Sequence, residues 1–202
     1  MLRVGLTGGY ATGKTFVGRA LENLGCFLIQ ADELGHQVMA KGAEAYDAIV
    51  AQFGESILDA DNSIDRRKLG AVVFQNPDLL AKLSAIVHPA VRDRGRSLLE
   101  SFALREPDGI CVTEAAILVE TGSFREYDRL IVASCTEEQQ VDRGILRDHL
   151  TRNEVLDRLR RQMPLEEKVK HAHYVIDTSG TKEHTLDQTR TVYASLRSLA
   201  NS

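Results

Sequence analysis

Leu6-Thr7-Gly8-Gly9-Tyr10-Ala11-Thr12-Gly13-Lys14-Thr15 carries G-x-x-x-x-G-K-[ST] from Gly8 to Thr15, the spacing of a phosphate-binding loop. The flanks suit it. Leu2 to Leu6 is a short apolar run of the kind that forms a buried strand, and Thr15 to Leu24 places apolar residues at helical spacing. The glycines let the backbone turn tightly and aim its N–H groups at phosphate oxygens, and the following helix adds its positive end. Gly8, Gly9, Tyr10, Ala11, Thr12 and Gly13 would then cradle a triphosphate. Lys14 would reach its outer phosphates, and the Thr15 hydroxyl would ligate Mg²⁺. The pattern implies a nucleoside triphosphate ligand.

Working outward, Gly25 stops the first helix and Cys26 to Gln30 reads as a second buried strand ending beside Asp32. Further strands are expected at 109–114, 128–134 and 174–177, and a closing helix at about 182–199. Between strands two and three, residues 33–108 are rich in helical patterns: an amphipathic segment at 43–53, then patches at 65–74, 77–86 and 89–104. His88-Pro89 reads as a helix start, with proline in the first helical position. Residues 54–63 read as a loop or short hairpin. Residues 115–124 read as a loop and short helix carrying Glu120, 136–162 as highly charged and helical, and 165–171 as a short helical patch. Strands alternating with helices give an α/β fold with a central parallel sheet flanked by helices. The expected architecture is a three-layer P-loop nucleoside-triphosphate kinase fold in one domain. Its core would be 1–31, 109–135 and 172–202, with a helical acceptor-binding insertion at about 32–108 and a helical lid at about 136–171.

Composition narrows the class. The chain has 202 residues, 43% hydrophobic and 27% charged, ordinary for a soluble globular protein with a sizeable core. A net charge of −4 argues against a protein that coats nucleic acid. No apolar run reaches membrane-spanning length, and the N-terminus shows no signal-peptide pattern. Cys26, Cys111 and Cys135 are odd in number and widely spaced, which reads as reduced thiols in a cytoplasmic protein. No obligatory protein partner is evident.

A phosphate loop does not name a reaction. Asp32-Glu33-Leu34-Gly35 fits the D-x-x-G string of GTPases, but it lies too close behind the loop and no Asn-Lys-x-Asp signature exists. Asp32 at the tip of strand two would orient an acceptor hydroxyl and take its proton, or would simply cap a helix. Arg143 and Arg147 stand four apart on one helical face. A mobile lid would bring such guanidiniums onto transferring phosphates, whereas a solvated helix would pair them with Glu137, Glu138, Asp142 and Asp148. Glu114 would hold Mg²⁺ through water, or would be a strand-terminal acid without a ligand. The His171-x-His173 pair lacks a third metal ligand and reads as surface or capping.

Several separated motifs, in order and over nearly the whole chain, resemble the dephospho-CoA kinase family. They are Leu6-Thr7-Gly8-Gly9 through Thr15, Ile29-Gln30-Ala31-Asp32, Arg66 with Leu69 and Phe74, His88-Pro89, Leu118-Val119-Glu120, the group Arg143, Arg147-Asp148, Arg158 and Gln162, and Val175-Ile176-Asp177. Four positions depart from that family's pattern: Gln30 and His173 stand where it has acids, Ala116 where it has proline, and Thr178 where it has asparagine. The resemblance implies transfer of the ATP γ-phosphoryl group to the ribose 3′-hydroxyl of dephospho-CoA, with Mg²⁺. It implies Asp32 as base, Arg143 or Arg147 as the neutralising lid cation, and Arg66, His88 and Glu120 in the acceptor pocket. It places Thr178 beside the adenine.

Overall fold

Val4 to Gly8 is continuously buried, as expected of a parallel strand covered on both faces. In the computed structural model, which describes residues 1–201, this run lies within strand β1 (Leu2–Gly8) at the centre of a five-stranded sheet. The other strands are β2 (Phe27–Gln30), β3 (Ile110–Glu114), β4 (Arg129–Ser134) and β5 (Tyr174–Asp177). All pairings are parallel, in the order β2-β3-β1-β4-β5. The register sets Leu6 and Gln30 beside Glu114, Gly8 beside Ala133, and Ser134 beside Asp177. Those carboxyl-end residues therefore gather along one edge, where open α/β sheets bind their ligands. Helices α1 (Lys14–Asn23) and, late in the chain, α9 (Lys182–Ala200) flank the sheet. Val17, Leu21, Val192 and Leu196 bury against Val4, Leu6, Val112, Ile131 and Ile176.

The chain divides into two compact units: Met1–Gln30 with the chain from Phe102 onward, and Ala31–Ser101. The second is helical, with α2 (Ala31–Val38), α3 (Tyr46–Phe53), α4 (Arg66–Val73) and most of α5 (Pro77–Arg105). Its own core is Val38, Ala45, Ile49, Ile57, Leu69 and Val73. Residues 54–63 hold a single 3₁₀ turn (Glu55–Ile57), and an antiparallel bridge joins Leu58 to Ile64, so the region is hairpin-like.

Two boundaries differ from expectation. Pro89 does not start a helix; it sits inside α5, which runs unbroken for 29 residues. An interior proline costs about 3 kcal/mol through its missing N–H and ring clash. Here the apolar stripe Leu79, Leu83, Ile86, Val87, Ala90 and Val91 passes through it in phase and packs on the unit's core. Ala85, whose carbonyl loses its helical donor, is exposed to water.

The charged segment at 136–162 is likewise two helices, α6 (Glu137–Asp148) and α7 (Arg152–Arg160). His149 breaks them at φ 54°. Thr136 with Gln139 and Thr151 with Glu154 each form a reciprocal capping box, which satisfies the orphan amides at both starts. A short helix α8 (Leu165–Val169) precedes β5.

Candidate active site

The loop between β1 and α1 is held from behind. Gly13 stands at φ 82° as the residue before α1, and a side chain at Gly8 would come within 2.5 Å of Thr12 Oγ1 and 2.7 Å of the Ala133 carbonyl. Thr12 donates to the Gly9 carbonyl (3.0 Å), and Thr178 Oγ1 donates to the Thr12 carbonyl (2.6 Å). The front is left to the Lys14 and Thr15 amides at the start of α1, which a helix cannot pair internally, whereas Phe16 and Val17 already donate to the Gly13 carbonyl. Lys14 is half-buried and, among the described residues, its ammonium has no hydrogen bond or ion pair. It is available to a phosphate.

Glu114, at the end of β3, is 4% exposed. It accepts from Thr15 Oγ1 at 2.5 Å and from Gln30 Nε2 at 2.9 Å. The β2–β3 register produces this trio, and Gln30 serves as a donor where a second acid would set two carboxylates side by side. A hydroxyl and a carboxylate are the hard oxygen donors Mg²⁺ prefers, and Mg²⁺ with a nucleotide needs only one or two of them from protein. The donor set fits that ion.

Arg143 and Arg147 both leave α6 toward the loop but take different partners. Arg143 donates to the Thr178 carbonyl (2.6 Å) and Oγ1 (3.3 Å), and Gln139 donates to the Ser179 carbonyl (2.7 Å). Together they grip the turn after β5. Arg147 donates twice to Asp148 (2.8 and 3.0 Å), and Arg158 donates to the same carboxylate (3.2 Å). The Arg147 hydrogen bond is the main reason that Asp148 titrates low, at about 2. Tyr10 Oη also donates to Asp148, and burial, then this carboxylate, push the Tyr10 hydroxyl up. Other arginines are spent on the surface: Arg152 pairs with Glu138 and Arg160 with Asp157.

Sequence reasoning missed Lys168. Its side chain is fully buried, and Nζ meets Glu120 Oε1 (2.7 Å), the Ala116 carbonyl (2.7 Å) and the Gly8 carbonyl (3.4 Å). Burial pulls its pKa down while Glu120 opposes that shift. Glu120 also accepts the Met163 N–H (3.2 Å), so it ties α8 and its approach to the β3 side of the loop. A lysine between two acids and a valine looks like surface in sequence, and no local signal marks it as core. His173 carries a backbone role: its Nδ1 accepts the Leu130 N–H at 3.1 Å.

In the helical unit, Asp32 lies in the first turn of α2, exposed, and among the described residues its carboxylate has no hydrogen bond or ion pair. His36, one turn on, is a residue the sequence reading passed over. Lost hydration lowers its pKa first, the Arg66 guanidinium lowers it further, and Asp32 and Glu33 oppose. Asp32, His36 and Arg66 therefore share one electrostatic neighbourhood. Arg66 opens α4 behind the Asp65 cap, and His88 is exposed on α5.

A parallel sheet with this loop, a buried acid on the Thr15 hydroxyl and arginine-bearing helices beside it defines a P-loop kinase. The family profile described as CoaE, dephospho-CoA kinase, matches residues 2–184. Dephospho-CoA kinase of Aquifex aeolicus is 38% identical over 97% of this chain and 98% of its own length. That of Geobacter sulfurreducens is 42% identical over 89% and 91%. The crystal structure of TT1252 from Thermus thermophilus superposes with a TM-score of 0.81 at 29% identity, covering 96% of each chain. Dephospho-CoA kinase from Campylobacter jejuni (TM-score 0.66, 24% identity, 96% of each chain) shares the fold. The chain belongs to the dephospho-CoA kinase family, and so to the kinases that use ATP as co-substrate.

Proposed function

We propose that the chain transfers the γ-phosphoryl group of ATP to the ribose 3′-hydroxyl of dephospho-CoA, giving CoA and ADP, the last step of coenzyme A synthesis. The observation that carries the reading is a complete phosphate loop whose Thr15 is bonded to buried Glu114. The acceptor follows from family membership.

Phosphoryl transfer needs little covalent chemistry from the protein; catalysis is positioning and charge neutralisation. The loop's main-chain amides, apart from that of Tyr10, which Gln162 takes, hold the triphosphate and Lys14 binds its outer oxygens. Thr15 and Glu114 would hold Mg²⁺, which would supply positive charge to the phosphates when bound. Asp32 orients the acceptor hydroxyl and accepts its proton. Arg147 is the better candidate for the neutralising cation, because its guanidinium lies over Tyr10 of the phosphate loop, whereas Arg143 is held on the Thr178 turn, the side assigned to adenine. Arg66 and His88 serve the acceptor within the insertion at about 32–108, and residues 136–171 act as a lid. Glu120 contributes to the acceptor side through the segment it fixes. Three free thiols suit the reducing cytoplasm.

Incubation with ATP, Mg²⁺ and dephospho-CoA should yield CoA by mass and ADP in equal amount. Stoichiometric ADP with another alcohol, and none with dephospho-CoA, would reassign the acceptor. Hydrolysis without acceptor stimulation would remove the transferase reading.

A further inference from the structure

The phosphate-loop pattern leaves the identity of Tyr10 free, because the motif fixes no side chain at that position. In this chain the side chain is anything but idle. Gln140 Nε2 donates to the Tyr10 carbonyl (2.6 Å) and Gln162 Oε1 accepts its N–H (2.7 Å). Gly144, one turn beyond Gln140 on α6, makes room for the ring: a Cβ there would lie 2.7 Å from Tyr10 Cε1. One turn further, Arg147 and Asp148 reach the ring face and the hydroxyl. The Arg147 guanidinium carbon lies 4.9 Å from the ring centroid, and that of Arg158, from α7, lies 5.5 Å away. Both distances are within cation–π range.

We propose that Tyr10 is a positioning residue: its ring and hydroxyl, with Asp148, hold the Arg147 and Arg158 guanidiniums beside the phosphate loop. Two cations this close repel each other. The electron-rich ring face and the shared carboxylate offset that repulsion and leave a net positive charge at the loop. Without the ring, two half-exposed arginines would sample many rotamers, and each turnover would have to gather them again. Fixing them beforehand is the kind of preorganisation that lowers a barrier without tightening ground-state binding. The inference rests on the phosphotransferase reading above.

The test is a substitution series assayed with ATP, Mg²⁺ and dephospho-CoA. Tyr10→Leu fills the seat on Gly144 but has neither a π face nor a hydroxyl. It should lower kcat roughly ten- to a hundred-fold, with KM for ATP within about threefold of wild type because the main-chain cradle persists. Tyr10→Trp should recover most of the loss and Tyr10→Phe part of it. A Tyr10→Leu kcat within about twofold of wild type would overturn the proposal, as would equal losses in all three variants. The chain has no tryptophan, so Tyr10→Trp also installs a single indole at the loop. Its emission should change when Arg147→Ala is added, and identical spectra would overturn the contact even if Tyr10→Leu fails to fold. Wild-type protein inactive on dephospho-CoA would remove the functional reading and leave the indole experiment standing.

Discussion

Replacing Lys168 by methionine keeps the aliphatic stem in its fully buried slot and deletes the charge. Three oxygens lose their donor: Glu120 Oε1 and the Ala116 carbonyl, both at 2.7 Å, and the Gly8 carbonyl at 3.4 Å. Removing one member of a fully buried ion pair costs about 3–5 kcal/mol. Two features reduce that here. Glu120 keeps 22% of its side chain in water and the Met163 N–H as donor, and the Ala116 carbonyl keeps the Thr7 hydroxyl at 3.2 Å. A loss of about 2–4 kcal/mol remains. At roughly 2–4 °C per kcal/mol for a chain of this size, Tm should fall by about 5–15 °C. Circular dichroism melts at pH 7 read it directly. The double variant Lys168→Met with Glu120→Leu should recover much of the loss, because an apolar pair of similar volume can replace a buried ion pair at little cost. A single variant melting within about 2 °C of wild type would refute the accounting.

Gly144→Ala gives a test of sign. Helix propensity alone predicts a gain of about 1 kcal/mol. The 2.7 Å approach to Tyr10 Cε1 and the 3.1 Å approaches to Val155 predict a net loss of about 1 kcal/mol in a urea titration. Asp148 titrates at about 2 in the folded chain against an ordinary 3.8. Its stabilising contribution is therefore complete above about pH 4 and disappears as pH falls toward 2. The Tm difference between wild type and Asp148→Asn should shrink across that window, and a constant gap would contradict the pairing. Asp32→Asn should leave ADP affinity by calorimetry nearly unchanged while turnover collapses; equal turnover would remove Asp32 as the base. Lys14→Ala should lose both nucleotide affinity and rate, and unchanged kinetics would reject the phosphate-loop assignment.

The parts of this protein legible in sequence are those whose physics is local. The Gly8–Thr15 loop, the five apolar strands and α9 each state their conformation in consecutive residues. The misread boundaries were also local, but two signals competed there. At Pro89 the missing N–H argued for a break, while the stripe from Leu79 to Val91 argued for continuity, and packing prevailed. At His149 no glycine or proline announced the break; the Thr151–Glu154 capping box did, and that pattern is readable in advance. The long-range partnerships were not legible. Lys168 meets Gly8 across 160 positions and Tyr10 meets Asp148 across 138. Nothing in either neighbourhood of the chain marks them as partners before the sheet order is known.

That sheet order has a consequence for how the polypeptide is made. β1 leaves the ribosome before both its neighbours, β3 and β4, which are encoded far downstream. β1 must therefore wait, unpaired, while the helical unit of residues 31–101, closed within its own sequence, is already available to fold. Parallel pairings of such separation are slow to form and leave apolar edges open meanwhile. The vulnerable species in biosynthesis is thus a nascent chain with a finished helical lobe and an orphaned first strand, and holdase chaperones would find their target at Leu2–Gly8.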